Sequence, residues 1–219
     1  MISGYVCAIV IIIVSILWVT GWRETIAPNV STREVLFCAG LLALAAMPLP
    51  LWFSPLPSMP DVQLHASASL LLLGGLFVIS RKGFEGYRSY IGSCAIMVGM
   101  VWGSVRGLYA HETMFYVFHP DWDAPLLGGL LCGAFASERK QQFVIVTWGG
   151  ALSAVVQRLL EGSGLASIGA WPWWDGVAAA LSAAVTFTIV SRAIRRCLVK
   201  LGAAGWLGWL RQLKGDKSS

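Results

Sequence analysis

The feature that most constrains this chain is a series of long apolar runs, broken by short segments that carry nearly all of its charge. The runs are Gly4–Thr20, Val35–Phe53, Val62–Ser80, Tyr90–Tyr109, Ala124–Ser137, Phe143–Leu160 and Trp174–Ser191. A helix needs about 20 apolar residues to cross ~30 Å of hydrocarbon, and most of the runs approach that length. Backbone amides find no water partner in lipid, so a spanning element must satisfy its own hydrogen bonds. No run alternates apolar and polar residues as a lipid-facing barrel strand does. The runs are therefore predicted as helices. Composition agrees: 57% of the 219 residues are hydrophobic and only 12% charged, about half the charged fraction of an ordinary soluble domain. The expected fold is all-α, a polytopic membrane bundle of seven transmembrane helices over residues 1–200, with a cytoplasmic amphipathic tail over 201–219.

Charge sets the expected orientation. Arg23 and Arg33 follow the first run; Arg81, Lys82 and Arg88 follow the third; Arg139 and Lys140 follow the fifth. Arg192, Arg195, Arg196, Lys200, Arg211, Lys214 and Lys217 follow the seventh. With seven crossings these clusters share one side, which the positive-inside rule makes cytoplasmic. The N-terminus is then outside and the C-terminus inside. The net charge of +5 is spent on orientation, and no nucleic-acid partner is expected. Arg106 and Arg158 fall instead near the outer ends of their runs, where a cation meets the negative end of the helix dipole and its stem can snorkel toward water. The first run lacks a basic leader and a small-residue cleavage site, so it reads as a retained helix. In the tail, Trp206, Trp209, Leu210 and Leu213 share one side, with Arg211 and Lys214 on the other. That pattern predicts a helix lying on anionic lipid.

The interior of the runs is chemically quiet. Ser69, Thr147 and Thr186 are among the few polar groups near midspan, and no carboxylate sits centrally. This weighs against an ion-coupled transporter, whose coupling sites lie at the midplane. Five cysteines form no C-x-x-C and no zinc spacing, and four of them read as small packing residues. Gly99, Gly103 and Gly107 recur every fourth residue, and Gly129 and Gly133 do the same. Such spacing lets helix backbones approach closely, either within the chain or across a homo-oligomer; Ala180 and Ala184 fit the same scheme.

The polar residues worth testing as a site gather outside, where Asp61, Glu112, Glu161 and Asp175 also fall. His65, His111, His119, Asp121 and Asp123 supply enough donors for a metal, yet no H-x-x-x-H or H-E-x-x-H spacing joins them. Nucleophile–base pairs of the intramembrane proteases are also missing, as are phosphate-binding glycine loops. The expectation is a polar rim: Arg106 pairs with Glu112 or with an aspartate at 121 or 123, and Arg158 with Glu161 three residues on. No cofactor is expected. A metal-dependent hydrolase using the outer His/Asp cluster and a small-solute transporter are the alternatives.

The first helix closing in "TGWRE", the turn "SRKGFEGYRSYIG" and the hairpin "ASERKQQFVIVTWG" resemble the YphA-like family of small multi-pass bacterial membrane proteins. That resemblance implies a bacterial plasma membrane and no assigned chemistry. Together these readings predict an integral membrane protein with a structural or partner-binding role, its partners being membrane lipids and another membrane protein or a second copy.

Overall fold

Apolar runs fold as helices in lipid because that is the cheapest way to retire every backbone amide. In the computed structural model, which describes residues 4–22, 40, 51–55, 61–80, 87–111, 119–162 and 165–215, this holds through the middle of each described run. Six helices and three short strands follow one another: α1 (Tyr5–Val19), β1 (Trp52–Phe53), β2 (Val62–His65), α2 (Ala66–Ser80), α3 (Arg88–His111), α4 (Pro120–Phe135), α5 (Arg139–Glu161), β3 (Ala166–Ile168) and α6 (Trp171–Gly215). Among the described residues three stretches are long and apolar enough to cross a membrane: Arg88–Ala110, Arg139–Glu161 and Trp171–Cys197. The chain is mostly helical, with three helices of spanning length rather than seven. The shortfall has physical causes. α1 and α2 are 15 residues each, and α4 has 16 with Asp121 and Asp123 in its first turn. The second apolar run lies mainly outside the described residues.

The ends of the third and second runs are where the helical reading fails. Val62–His65 is a strand, not the first turn of a helix, and Trp52–Phe53 pairs with it antiparallel, Trp52 opposite His65. On its other side β2 runs parallel to β3, with Val62 opposite Ala166 and Leu64 opposite Ile168. Three short segments at one end of the bundle thus satisfy each other's backbone groups. His65 then turns the chain into α2: its Nδ1 accepts the Ser67 N–H at 3.3 Å and meets the Ser67 hydroxyl at 2.7 Å. Gly169, at φ +98°, closes the turn after β3, and a Cβ there would come within 2.8 Å of the His65 Cβ.

Helix packing uses the glycines inside the chain. Opposite Gly99, Gly103 and Gly107 of α3 lie Gly149, Leu152, Ser153, Val156 and Leu160 of α5; a Cβ on Gly103 would lie 2.7 Å from the Ser153 carbonyl oxygen. α4 and α6 repeat the device: a Cβ on Gly129 would overlap the Ala180 carbonyl oxygen, and one on Gly133 would lie 3.0 Å from that of Ala184. Close approach of this kind substitutes for the hydrophobic drive that lipid cannot supply between helices. Trp102 fills the centre, fully buried, with its indole against Gly128 of α4, Gly150 of α5 and Gly176 of α6. α1 stands apart, touching α6 and leaving Ile9, Ile11, Ile12, Ile13 and Ile16 exposed. Apolar side chains exposed all round a helix are at home only in lipid.

The termini sort into two ends. β1–β3, the C-terminal ends of α3 and α5 and the N-terminal ends of α4 and α6 gather at one, the sheet end. At the other, the arginine end, the Tyr90 hydroxyl at the start of α3 donates to the Phe135 carbonyl at the end of α4, 2.9 Å away. Helix α6 continues without a break across residue 200 to Gly215.

Candidate functional site

At the sheet end the helix termini surround a cavity of about 490 Å³. Each wall has a local reason to be polar. Arg158 lies in the last turn of α5, where its charge complements unsatisfied carbonyls. The helix stops at Gly162, whose φ of +68° puts its N–H on the Arg158 carbonyl at 3.2 Å. Asp121 and Asp123 occupy the first turn of α4, the favourable end for carboxylates. Just before them, His119 caps the helix. Its Nδ1 accepts the Asp121 N–H at 3.3 Å, while the Asp123 carboxylate accepts the His119 N–H at 3.4 Å. This reciprocal arrangement works like a capping box. With the His65 contact onto Ser67, two of the three histidines are therefore helix caps, each requiring a bare Nδ1.

Around the cavity the structure brings together Arg106, Asp121, Arg158 and Glu161, with Gln157 and Trp173 completing the polar and aromatic wall. Arg106 is half-buried and lies within Coulombic range of Asp121 and Glu161. The expected Arg158–Glu161 pair is not formed. Arg158 Nη2 reaches Asp61 Oδ2 at 2.6 Å instead, because Asp61 directly precedes β2, which β3 draws alongside the end of α5; the Ala166 N–H donates to the Asp61 carbonyl at 2.9 Å. Glu161 accepts from the Gln157 amide at 2.7 Å, a contact one helical turn long. Arg158 Nε and Trp173 Nε1 are buried without hydrogen-bond partners.

The remaining sequence candidates do not join this group. His65 is buried, with its ring edge-on to Trp52 at 5.0 Å. His119 and Asp123 are committed to the start of α4. His111 ends α3, and its side chain and Glu112 lie outside the described residues, so the Arg106–Glu112 pairing does too. Among the described residues no three His, Cys, Asp or Glu side chains gather as a metal site would require.

Four further polar residues complete the two ends; Asp61 and Asp175 are outer acids by sequence whose partners were not legible, and Gln157 and Gln142 were not singled out. Gln157 carried a usable signal, its four-residue spacing from Glu161. Asp61 carried none, because its partner is 97 positions away. Asp175 reaches across from α6 to the first amides of α1, accepting Gly4 N–H at 2.6 Å and Cys7 N–H at 2.8 Å. At the arginine end, fully buried Gln142 donates to the Ala136 carbonyl and to Thr188 Oγ1, both at 2.7 Å.

No protein-family model matches the chain, and no curated protein or solved structure matches it either.

Proposed function

We propose that this chain is a seven-span plasma-membrane protein of the YphA-like type, N-terminus outside, whose role is to bind a partner at its outer face rather than to catalyse a reaction. Three spanning-length helices support the membrane setting. α1, α2 and α4 add three short spans, which a bilayer accommodates by local thinning and snorkelling of flanking residues, and the second apolar run of the sequence is counted as the seventh. Orientation rests on the charge asymmetry of the ends. Arg88, Arg139 and Arg192 mark one end, and Asp61, Asp121, Asp175 and Glu161 the other.

The single observation that carries the partner-binding reading is the cavity at the sheet end. Its volume falls within the range of ligand sites, roughly 300–1,000 Å³, and its walls present both signs of charge within one opening. Two arginines and two carboxylates suit a partner that also carries both, such as the zwitterionic end of a peptide or a loop with paired charges.

Photo-crosslinking in cells tests it. A benzophenone amino acid at Tyr109, on the cavity wall, should give a discrete adduct, whereas one at lipid-facing Leu130 should give lipid adducts only. Identical patterns at the two positions would remove the cavity as a recognition site. Orientation is tested separately by cysteine labelling in a background without native cysteines. Positions 57 and 122 should label from outside, and positions 85 and 139 only from the cytoplasm; external labelling of position 85 would overturn the seven-span scheme.

A further inference from the structure

The arginine end holds a second polar arrangement that the partner-binding reading does not use. Arg139 opens α5, and its Nη1 donates to Gln142 Oε1 at 3.0 Å. Its Nε and Nη2 are buried and have no hydrogen-bond partner. Arg192 comes across from α6 and donates from Nη2 to the Ser137 carbonyl at 2.8 Å. The two guanidinium groups lie close enough to repel each other. Among the described residues neither forms an ion pair, and Glu138, which starts α5, makes no side-chain capping bond. Two like charges held together with N–H donors unspent is an arrangement that an anion relieves.

We infer that Arg139 and Arg192 form a clamp for the phosphate of one anionic phospholipid. The guanidinium fork matches two oxygens of a phosphate, and the free amides of the first turn of α5 add positive potential to the same place. The surroundings choose lipid over free phosphate. Arg192 sits at the end of the apolar part of α6, one turn past Ile189, which lies on the same face of that helix and is 37% exposed. Acyl chains fixed to a phosphate at Arg192 would run back past Ile189 along the apolar part of α6. Basic pockets between spanning helices bind anionic headgroups in this manner. The inference rests on the membrane setting but is independent of the cavity at the other end.

Native mass spectrometry of the full-length chain, released from detergent with added phosphatidylglycerol or phosphatidylcholine, tests the clamp. The wild type should retain one phosphatidylglycerol per chain in preference to phosphatidylcholine. R139Q/R192Q should weaken that retention by about tenfold, the loss expected from two charge-assisted contacts. R195Q/R196Q removes the same charge from exposed positions further along α6 and should change it by less than about twofold. Equal losses in both double variants would reduce the effect to general basicity and overturn the clamp. Millimolar inorganic phosphate displacing the lipid would overturn the choice of ligand. R192Q alone leaves the buried Arg139–Gln142 contact intact, so an unfolded double variant does not end the test: retention unchanged in R192Q overturns the proposal, and a partial loss supports it. A wild type that retains neither lipid would overturn the clamp, whereas recovery of the expressed chain outside the membrane fraction would overturn the membrane reading on which it rests.

Discussion

The two ends of the bundle use the same residue types to solve opposite problems. At the sheet end cations meet acids: Arg158 bonds Asp61, and Arg106 lies in the field of Asp121 and Glu161. At the arginine end cations meet carbonyls. Arg88 donates from Nε and Nη2 to the Ile79 and Ser80 carbonyls that end α2, at 3.1 and 3.0 Å, and Arg192 reaches the Ser137 carbonyl just past α4. Helices terminate at both ends of a bundle, but only their C-terminal ends expose unsatisfied carbonyls. Arginines at that end thus finish the helices that stop there. The difference teaches that charge at a membrane boundary is not one category. Paired charge lines the cavity, whereas cations with no acid beside them among the described residues cap backbone carbonyls.

The largest test of this contrast is at Gln142, itself uncharged, which bonds both Thr188 and the Arg139 guanidinium. Gln142→Ala would strand the buried Ala136 carbonyl and remove one partner each from Thr188 and Arg139, at a cost of about 2 kcal/mol. The apparent melting temperature in detergent should fall by several degrees, and a melt unchanged from wild type would mean that the buried amide network contributes nothing. Next comes Arg158→Gln. Because Asp61 is 50% exposed while Arg158 is 19% exposed, solvent screening holds the expected loss to about 1 kcal/mol. Adding Asp61→Asn should restore part of that stability; strictly additive losses would show that the two charges do not couple. The smallest effect is expected from Arg88→Gln, a few tenths of a kcal/mol, since its acceptors lie at an exposed helix end. If Arg88→Gln costs more than Arg158→Gln, then carbonyl capping outweighs charge pairing and the contrast between the ends is reversed.

Hydrophobic runs marked most of the described helices, because lipid leaves a long apolar segment few alternatives. Boundaries were less legible. α3 and α5 begin in charged residues, at Arg88 and Arg139, that the apolar runs leave out. The sheet was hidden for a different reason. Its strands have two, four and three residues, too few to establish a period, and each is stabilised by segments far away in sequence. Glycine spacing identified the faces of α3 and α4 correctly but could not say which helix each would meet; the answer, α5 and α6, depends on the whole arrangement. At the candidate site Arg106, Asp121, Arg158 and Glu161 were all visible as an outer polar group. What the sequence could not show was that Arg158 would choose Asp61 over the nearer Glu161, a choice made by the β2–β3 pairing. Nor could it show that His65 and His119 would be consumed as helix caps.

The tertiary cap on α1 gives a further, intermediate test. Asp175→Asn keeps the shape but replaces charge-assisted acceptors for the Gly4 and Cys7 amides with neutral ones, a loss of about 1 kcal/mol. Faster hydrogen exchange at those two amides, with the remainder of the bundle unchanged, is the expected signature. Uniformly faster exchange would mean that Asp175 supports the whole fold.

The continuity of α6 through Gly215 has a mechanical consequence. A helix of 45 residues measures roughly 68 Å along its axis at 1.5 Å per residue, more than twice the ~30 Å thickness of the hydrocarbon. A helix that crosses the membrane and keeps its direction therefore projects as a cantilever far into the aqueous phase on the arginine side. To lie flat on lipid, its distal part must first bend or break near the surface. A tail lying on lipid would thus require a bend in a segment that is here one continuous helix.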